Sequence, residues 1–318
     1  MKKLFIFILS VIIIAASFSA CTTTENFPAN GKINIVTTIF PVYDWTKNIA
    51  GENCNVIYLD ESGTDMHSFA PTAKNILSIT NADVFIHIGG VSDEWVNKTL
   101  EASDNARLIT LSLTEVTGVL EEEHIDGMEH NHEHEHEHEN EVAETDEHIW
   151  LSLKKAQIAV TAIAETLAEA DSKNADTYTA NAESYNKKLS DLDERYTDCV
   201  NNAKRKTLLF ADRFPFRYFT EDYGLEYFAA FPGCSAESEA SFETMTFLIE
   251  KTRELSLPCI LTIENSGSKI AGTISSETKT KILSLNSCQS VTKADIDSGI
   301  TYISAMENNL QIITEALN

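Results

Sequence analysis

Residues 151–201 read LSLKKAQIAVTAIAETLAEADSKNADTYTANAESYNKKLSDLDERYTDCVN. They contain neither proline nor glycine, and apolar residues return at helical spacing, at Ile158, Ile163 and Leu167 and again at Leu189 and Leu192. The spacing predicts a helix of roughly 45 residues, with Asp171-Ser172 as the one place where it can break. On both sides the pattern changes to short apolar runs separated by amphipathic segments. Before the helix, strands are expected at 33–38, 55–59, 84–88 and 108–111, and helices at 41–50, 71–80 and 93–102, the first with Pro41 in its opening turn. After it, strands are expected at 207–210, 226–231, 259–263 and 282–285, and helices at 214–222, 242–255, 268–278 and 302–317. Strands alternating with helices indicate βαβ units and mostly parallel sheets. The expected fold is therefore α/β: two lobes, each a mostly parallel sheet flanked by helices, joined by a long backbone helix. The boundaries read 32–150 for the first lobe, 151–201 for the linking helix and 202–318 for the second lobe.

Composition narrows the function. Of 318 residues, 43% are hydrophobic and 23% charged, enough for a sizeable core, but the net charge is −25. Such a surface repels phosphate backbones, which argues against a nucleic-acid partner. Residues 1–20 read as a signal peptide: Lys2 and Lys3, an apolar run over 4–18, then Ser19-Ala20-Cys21. Cys21 after small residues resembles a bacterial lipobox, which implies lipidation there and a flexible tether over 21–31. No second apolar run approaches the ~20 residues that span a bilayer. The protein is expected outside the cytoplasm, where disulfides persist, yet Cys54, Cys199, Cys234, Cys259 and Cys288 are odd in number, so at least one thiol is left over.

Residues 121–145 form an acidic insert in the first lobe. Within it His130, His132, His134, His136 and His138 alternate mostly with glutamate, without an apolar residue to hold them in a core. Imidazole is the commonest protein ligand for divalent transition metals, so the run reads as a loose metal scavenger. His132-Glu133-His134-Glu135-His136 formally satisfies the HExxH protease signature, but that motif needs a packed helix and this run has no apolar face. His148 differs. It follows Asp146-Glu147 and precedes Ile149, Trp150 and Leu151, where an amphipathic segment begins, and it reads as part of a fixed site.

His67 is the other candidate, between a strand and a helix, where open α/β sheets bind ligands. His87, inside Val84-Phe85-Ile86-His87-Ile88, reads instead as a satisfied core histidine. The ordered set GTDMHSFAPT (63–72), ADVFIHIGG (82–90), a histidine-rich insert and DEHIWLS (146–152) resembles the zinc and manganese solute-binding proteins of bacterial ABC transporters, the ZnuA-like or TroA-like group. The resemblance implies one metal in a cleft between two lobes, with His67 and His148 as its first two ligands. It also implies two ligands from the second lobe, and here the sequence departs from the family. Arg213 stands at the usual third-ligand position, Asn286-Ser287-Cys288 at the fourth, and no histidine follows His148. Asp212 is the first substitute, and Glu264 also follows a strand. Cys234, Glu237 and Cys288 are weaker candidates. Arg213 is expected to pair with Glu237 or Glu264, and Cys234 and Cys288 can form a disulfide or ligate zinc as thiolates.

The expected activity is that of a zinc receptor that hands its ion to an ABC permease, acting as a monomer tethered through Cys21 to the outer face of the membrane. No catalysis is expected. Manganese is the alternative ion, since oxygen-rich shells lean that way, whereas imidazole and any thiolate favour zinc. A metal-storage or adhesin lipoprotein working through the insert is the alternative function, and a metallohydrolase, needing an open position for water, is a weaker one.

Overall fold

The structure is a computed structural model that describes residues 27–129, 145–235, 239–267 and 269–318. The signal and lipidation calls at 1–20 and Cys21, the five insert histidines from His130 to His138, and Glu237 lie outside the described residues.

The first sheet consists of β1 (Ile33–Thr37), β2 (Cys54–Tyr58), β3 (Val84–His87) and β4 (Ile109–Ser112). All four run parallel in the order β2-β1-β3-β4. Helices α1 (Phe40–Ala50), α2 (Ala73–Thr80) and α3 (Glu94–Glu101) connect them. A one-turn helix, α4 (Leu113–Thr117), leads to a two-residue antiparallel ribbon of β5 (Leu120–Glu121) and β6 (Thr145–Asp146). These last elements are too short to leave a period in the sequence.

Two helices follow, not one. The first, α5, spans Leu153–Ala170 and the second, α6, spans Ala175–Asn202. At Asp171 the backbone leaves the helix (φ −139°, ψ 76°), and a 3-10 turn over Ser172–Asn174 starts the next one. The Asp171 carboxylate accepts hydrogen bonds from Asn174 Nδ2 at 2.6 Å and the Tyr178 hydroxyl at 2.9 Å, which fixes the turn. The chain reverses there, and Asn186 Nδ2 donates to Thr161 Oγ1 at 3.0 Å across the hairpin. The apolar period continues through both arms because both pack on the same core, so periodicity reports helix without reporting reversal. Ile158, counted with the apolar face, is 47% exposed.

The second sheet repeats the plan with β7 (Thr207–Phe214), β8 (Glu226–Pro232), β9 (Cys259–Ile263) and β10 (Lys281–Leu285), all parallel, in the order β10-β9-β7-β8. Helices α7 (Arg217–Tyr223), α8 (Phe242–Glu254) and α9 (Lys269–Thr278) flank it, and α10 (Lys293–Asp297) and α11 (Tyr302–Ala316) close the chain. Read from one edge, each sheet runs second, first, third, fourth strand, so the lobes share a topology that no sequence repeat announces. In such sheets the crevice lies beyond the carboxyl ends of the strands, where the order reverses.

One apolar core runs through both lobes, joining Ile35, Trp45 and Val84 to Trp150, Tyr196, Phe210 and Tyr302. Three hydrogen bonds cross this seam, although the buried Trp45 Nε1 has no partner. Trp150 Nε1 donates to the Ser287 carbonyl at 2.7 Å, the Tyr58 hydroxyl to the Val291 carbonyl at 3.0 Å, and the Tyr302 hydroxyl to the Trp150 carbonyl. Removing any of these donors leaves a buried carbonyl without a partner, at about 1–3 kcal/mol each. The lobes are thus fused rather than hinged.

The hairpin is testable. In one continuous helix, residues 161 and 186 would stand about 37 Å apart. A Thr161→Cys/Asn186→Cys variant is therefore expected to crosslink internally with a short bifunctional thiol reagent, read by peptide mapping. Absence of a 161–186 crosslink, with both thiols alkylated, would contradict the reversal.

Candidate metal centre

His67 and His148 are set by the same local device. Each stands two residues after an aspartate, in Asp65-Met66-His67 and Asp146-Glu147-His148. In both, the aspartate Oδ1 accepts the histidine backbone N–H, at 3.0 Å for His67 and 2.8 Å for His148, closing a tight turn that aims the ring. The 3-10 turn Met66–Ser68 follows β2 through the loop beyond it, and His148 follows β6 directly. Gly90 (φ +92°) lets Glu147 lie against the loop after β3, because a Cβ there would fall 2.4 Å from Glu147 Oε2.

The second nitrogen of each ring is already engaged. His148 Nδ1 lies 2.9 Å from Asp146 Oδ1. His67 Nδ1 lies 2.9 Å from Ser92 Oγ and 3.2 Å from Glu147 Oε1. Ser92 spends its own proton on Glu147, so His67 Nδ1 must be the donor in that cluster, as His148 Nδ1 is to a carboxylate. Both rings therefore present an Nε2 lone pair, and the two Nε2 atoms are 3.2 Å apart. An ion bonded to two imidazole nitrogens at 2.0–2.1 Å in tetrahedral geometry holds them about 3.3 Å apart. The spacing is already that of a shared cation. Carboxylates behind ligating histidines, as here, fix the tautomer and raise ligand basicity.

The electrostatics agree. His148 is fully buried while His67 keeps 11% of its side chain exposed. Burial disfavours a charged His148 ring, but the Asp146 carboxylate, with Glu147 and Glu122 behind it, outweighs burial and raises the His148 pKa. Burial likewise opposes ionisation of Glu147, yet its bonds to His67 and Ser92 hold it below the usual carboxylate range. Negative charge is concentrated around the two facing lone pairs.

From the second lobe, the side chain that comes to them is Cys234. Among the described residues, His67, His148 and Cys234 place one ligand atom each within 4.8 Å of one another. Cys234 follows β8 through Gly233, and Gly233 allows the approach: a Cβ there would sit 2.8 Å from the Phe214 carbonyl and 3.1 Å from the His148 ring. The Cys234 N–H donates to Glu122 Oε1 at 3.0 Å, tying the loop to the base of the insert.

The other second-lobe candidates are engaged elsewhere. Asp212 lies at a bulge in β7, where its Oδ2 accepts from the Ile263 N–H at 3.1 Å and its Oδ1 from the Arg213 N–H at 2.9 Å. Glu264 accepts from the Ser287 N–H at 2.7 Å and the Ser287 hydroxyl at 2.6 Å, stapling the ends of β9 and β10. Burial raises its pKa although those bonds oppose it. Both line a cleft of about 590 Å³ that His67 also borders, alongside Asp65 and Arg213. Cys288 is fully buried in the core, and none of the five described cysteines is in a disulfide. His87 stacks on Phe85.

Arg213 is not paired with Glu264, whose oxygens Ser287 occupies. It reaches across the cleft, Nη2 to Asp65 Oδ2 at 2.5 Å. Asp65 thus holds the His67 turn with one oxygen and the other lobe with its second. The sequence offered one signal for these supporting groups, the repeated Asp-x-His; Ser92, distant in the chain, gave none.

Burial pushes the Asp65 pKa up, but the Arg213 bond and charge outweigh it, so the net direction is down. A depressed carboxylate adds stability that is present above its unfolded value, about 3.9, and lost as pH falls through the lower folded value. Arg213→Ala is expected to destabilise the protein by about 1–3 kcal/mol near pH 7 in urea unfolding. That difference is expected to shrink below about pH 4. An equal loss at both ends would mean that Arg213 acts by packing alone.

Comparison with known proteins identifies the family. Residues 35–316 match the family model described as zinc-uptake complex component A, periplasmic. The chain is 33% identical over 321 residues to zinc-binding lipoprotein AdcA of Streptococcus pneumoniae, covering 99% of this chain and 61% of that relative. It therefore spans about three fifths of the length of that relative. It is 30% identical over 314 residues to the high-affinity zinc uptake system protein ZnuA of Bacillus subtilis, covering 99% of this chain and 97% of that one. The crystal structure of the Zn(II)-bound ZnuA-like domain of S. pneumoniae AdcA superposes with a TM-score of 0.73 at 32% identity, over 90% of this chain and 99% of that chain.

Proposed function

The chain belongs to the family of periplasmic zinc-uptake complex components, and from that premise we propose that it is an extracytoplasmic zinc receptor. It captures one zinc ion between its lobes and delivers it to an ABC permease. The observation that carries this reading is the pair of Nε2 lone pairs facing each other at 3.2 Å, with each Nδ1 already committed. His67 and His148 are the first two ligands; Asp146, Glu147 and Ser92 orient them. Zinc is the cargo, and the receptor performs no chemistry on it.

Residues 1–20 serve as an export signal and Cys21 as the lipid anchor, with the monomer tethered to the outer face of the membrane. The net charge of −25 favours cations near that surface. The histidine run at 130–138 collects metal loosely and raises the local supply. Because the lobes share one core, release proceeds by a small tilt rather than a wide hinge opening.

A metal count on the purified chain tests the reading, with and without residues 121–145 and in competition between zinc and manganese. One tightly held zinc is expected to survive removal of the insert and to weaken by more than about 100-fold in His67→Ala or His148→Ala, beyond the 10–100-fold loss typical of outer-shell changes. The carboxylates around His148 raise its pKa, so protons compete more strongly with zinc for that ring as pH falls. Affinity is therefore expected to fall steadily from pH 8 to pH 6, each about a unit either side of neutrality. A single site preferring manganese would keep the receptor and overturn the ion. Loss of all tight binding with the insert would overturn the cleft.

A further inference from the structure

The two histidines come from one lobe, and an ion held by them alone would not bridge the cleft. We propose that Cys234 supplies the second lobe's ligand, as a thiolate, so that the site is a His2Cys centre selective for thiophilic divalent cations. This deepens the zinc-receptor reading above and rests on it.

Geometry carries the assignment. Among the described residues, Cys234 is the second-lobe side chain whose sulfur lies within 4.8 Å of a ring nitrogen of each histidine. In tetrahedral geometry a zinc bonded to nitrogen at about 2.05 Å and to sulfur at about 2.3 Å holds those atoms roughly 3.6 Å apart. A cluster already within 4.8 Å needs a small adjustment of the Cys234 loop to reach that separation. Gly233 has the room for that approach because it lacks a Cβ, and the Glu122 hydrogen bond holds the Cys234 backbone in place meanwhile. The oxygens of Asp212 and Glu264 are held by backbone N–H groups and Ser287, and Arg213, a permanent cation, is bound to Asp65. A carboxylate ligand would have to break two hydrogen bonds first; the thiol gives up one, with the Glu147 backbone.

The binding step balances simply. The Cys234 S–H proton leaves to solvent, while both imidazoles keep their Nδ1 protons. Sulfur and both nitrogens then each give a lone pair to the metal. Three protein donors leave a fourth position, toward the cleft that His67 borders, for a water molecule. Two neutral imidazoles and one thiolate suit zinc and cadmium and disfavour manganese, which prefers oxygen. Specificity against manganese then comes from Cys234 rather than from the histidine-rich insert.

Cobalt(II) and cadmium(II), added to the full chain, provide the test. Thiolate-to-metal charge transfer in the near ultraviolet comes from sulfur alone, so metal on the insert histidines is silent. The wild-type complexes are expected to show the band at one equivalent, and Cys234→Ser to lack it. Cys234→Ser is expected to weaken cadmium by more than about 100-fold, and zinc less, narrowing the preference over manganese. Alkylation mapped by peptide keeps the question open to test should the variant fold poorly: in wild type, one equivalent of zinc is expected to protect Cys234 from iodoacetamide. If His67→Ala abolishes tight binding but the wild type shows neither the band nor the protection, Cys234 is not a ligand and the receptor reading stands. If His67→Ala and His148→Ala leave the bound metal unchanged, the receptor reading fails, and this one with it.

Discussion

Two imidazole nitrogens face each other at 3.2 Å, the separation that a shared cation would impose. The groups around them hold that arrangement. Each Nδ1 is tied to a carboxylate or to a serine that is itself tied to one, so neither ring can turn its Nε2 into a donor without losing a buried hydrogen bond. An ion with 2.0–2.1 Å bonds to nitrogen would fit between them at tetrahedral angles with little movement of either ring.

The fold buries that pair rather than leaving it on the surface. His148 is fully buried because Trp150, two residues on, is locked to the Ser287 carbonyl and packed in the core that both sheets share. The Tyr302 hydroxyl closes on the Trp150 carbonyl from the last helix, so the C-terminus of the chain braces the segment that carries the ligand. Arg213 and Asp65 add a polar tie across the cleft mouth that also holds the His67 turn. A site built on a fused seam can open only slightly. That suits a small, hard-to-desolvate cargo better than a wide clamp would, since little apolar surface has to be exposed to release it.

Much of this was legible in the sequence, for identifiable reasons. The strand-helix alternation gave both parallel sheets, with β9 placed at its observed ends, because buried strands are short unbroken apolar runs. That His67 and His148 come together was expected, because both stand at the edge of apolar segments beside the cleft. The hairpin of α5 and α6 was not, since an apolar stripe looks the same whether a helix continues or folds back; only Asp171, with its side chain bonded to the turn, records the reversal. Which second-lobe side chain approaches the two histidines was not legible for a related reason. Asp212 and Glu264 follow strands as expected, but their oxygens are consumed by backbone donors, a fact that exists only in three dimensions. Cys234 owes its place to Gly233 and Glu122, neither of which marks a metal site on its own.

The most direct measurement is anomalous diffraction at the zinc absorption edge from crystals of the chain grown with one equivalent of zinc. The account predicts one strong peak between His67 and His148, at about 2.0–2.1 Å from each Nε2. Zinc found only along residues 130–138, with the two rings still facing each other unbridged, would contradict it.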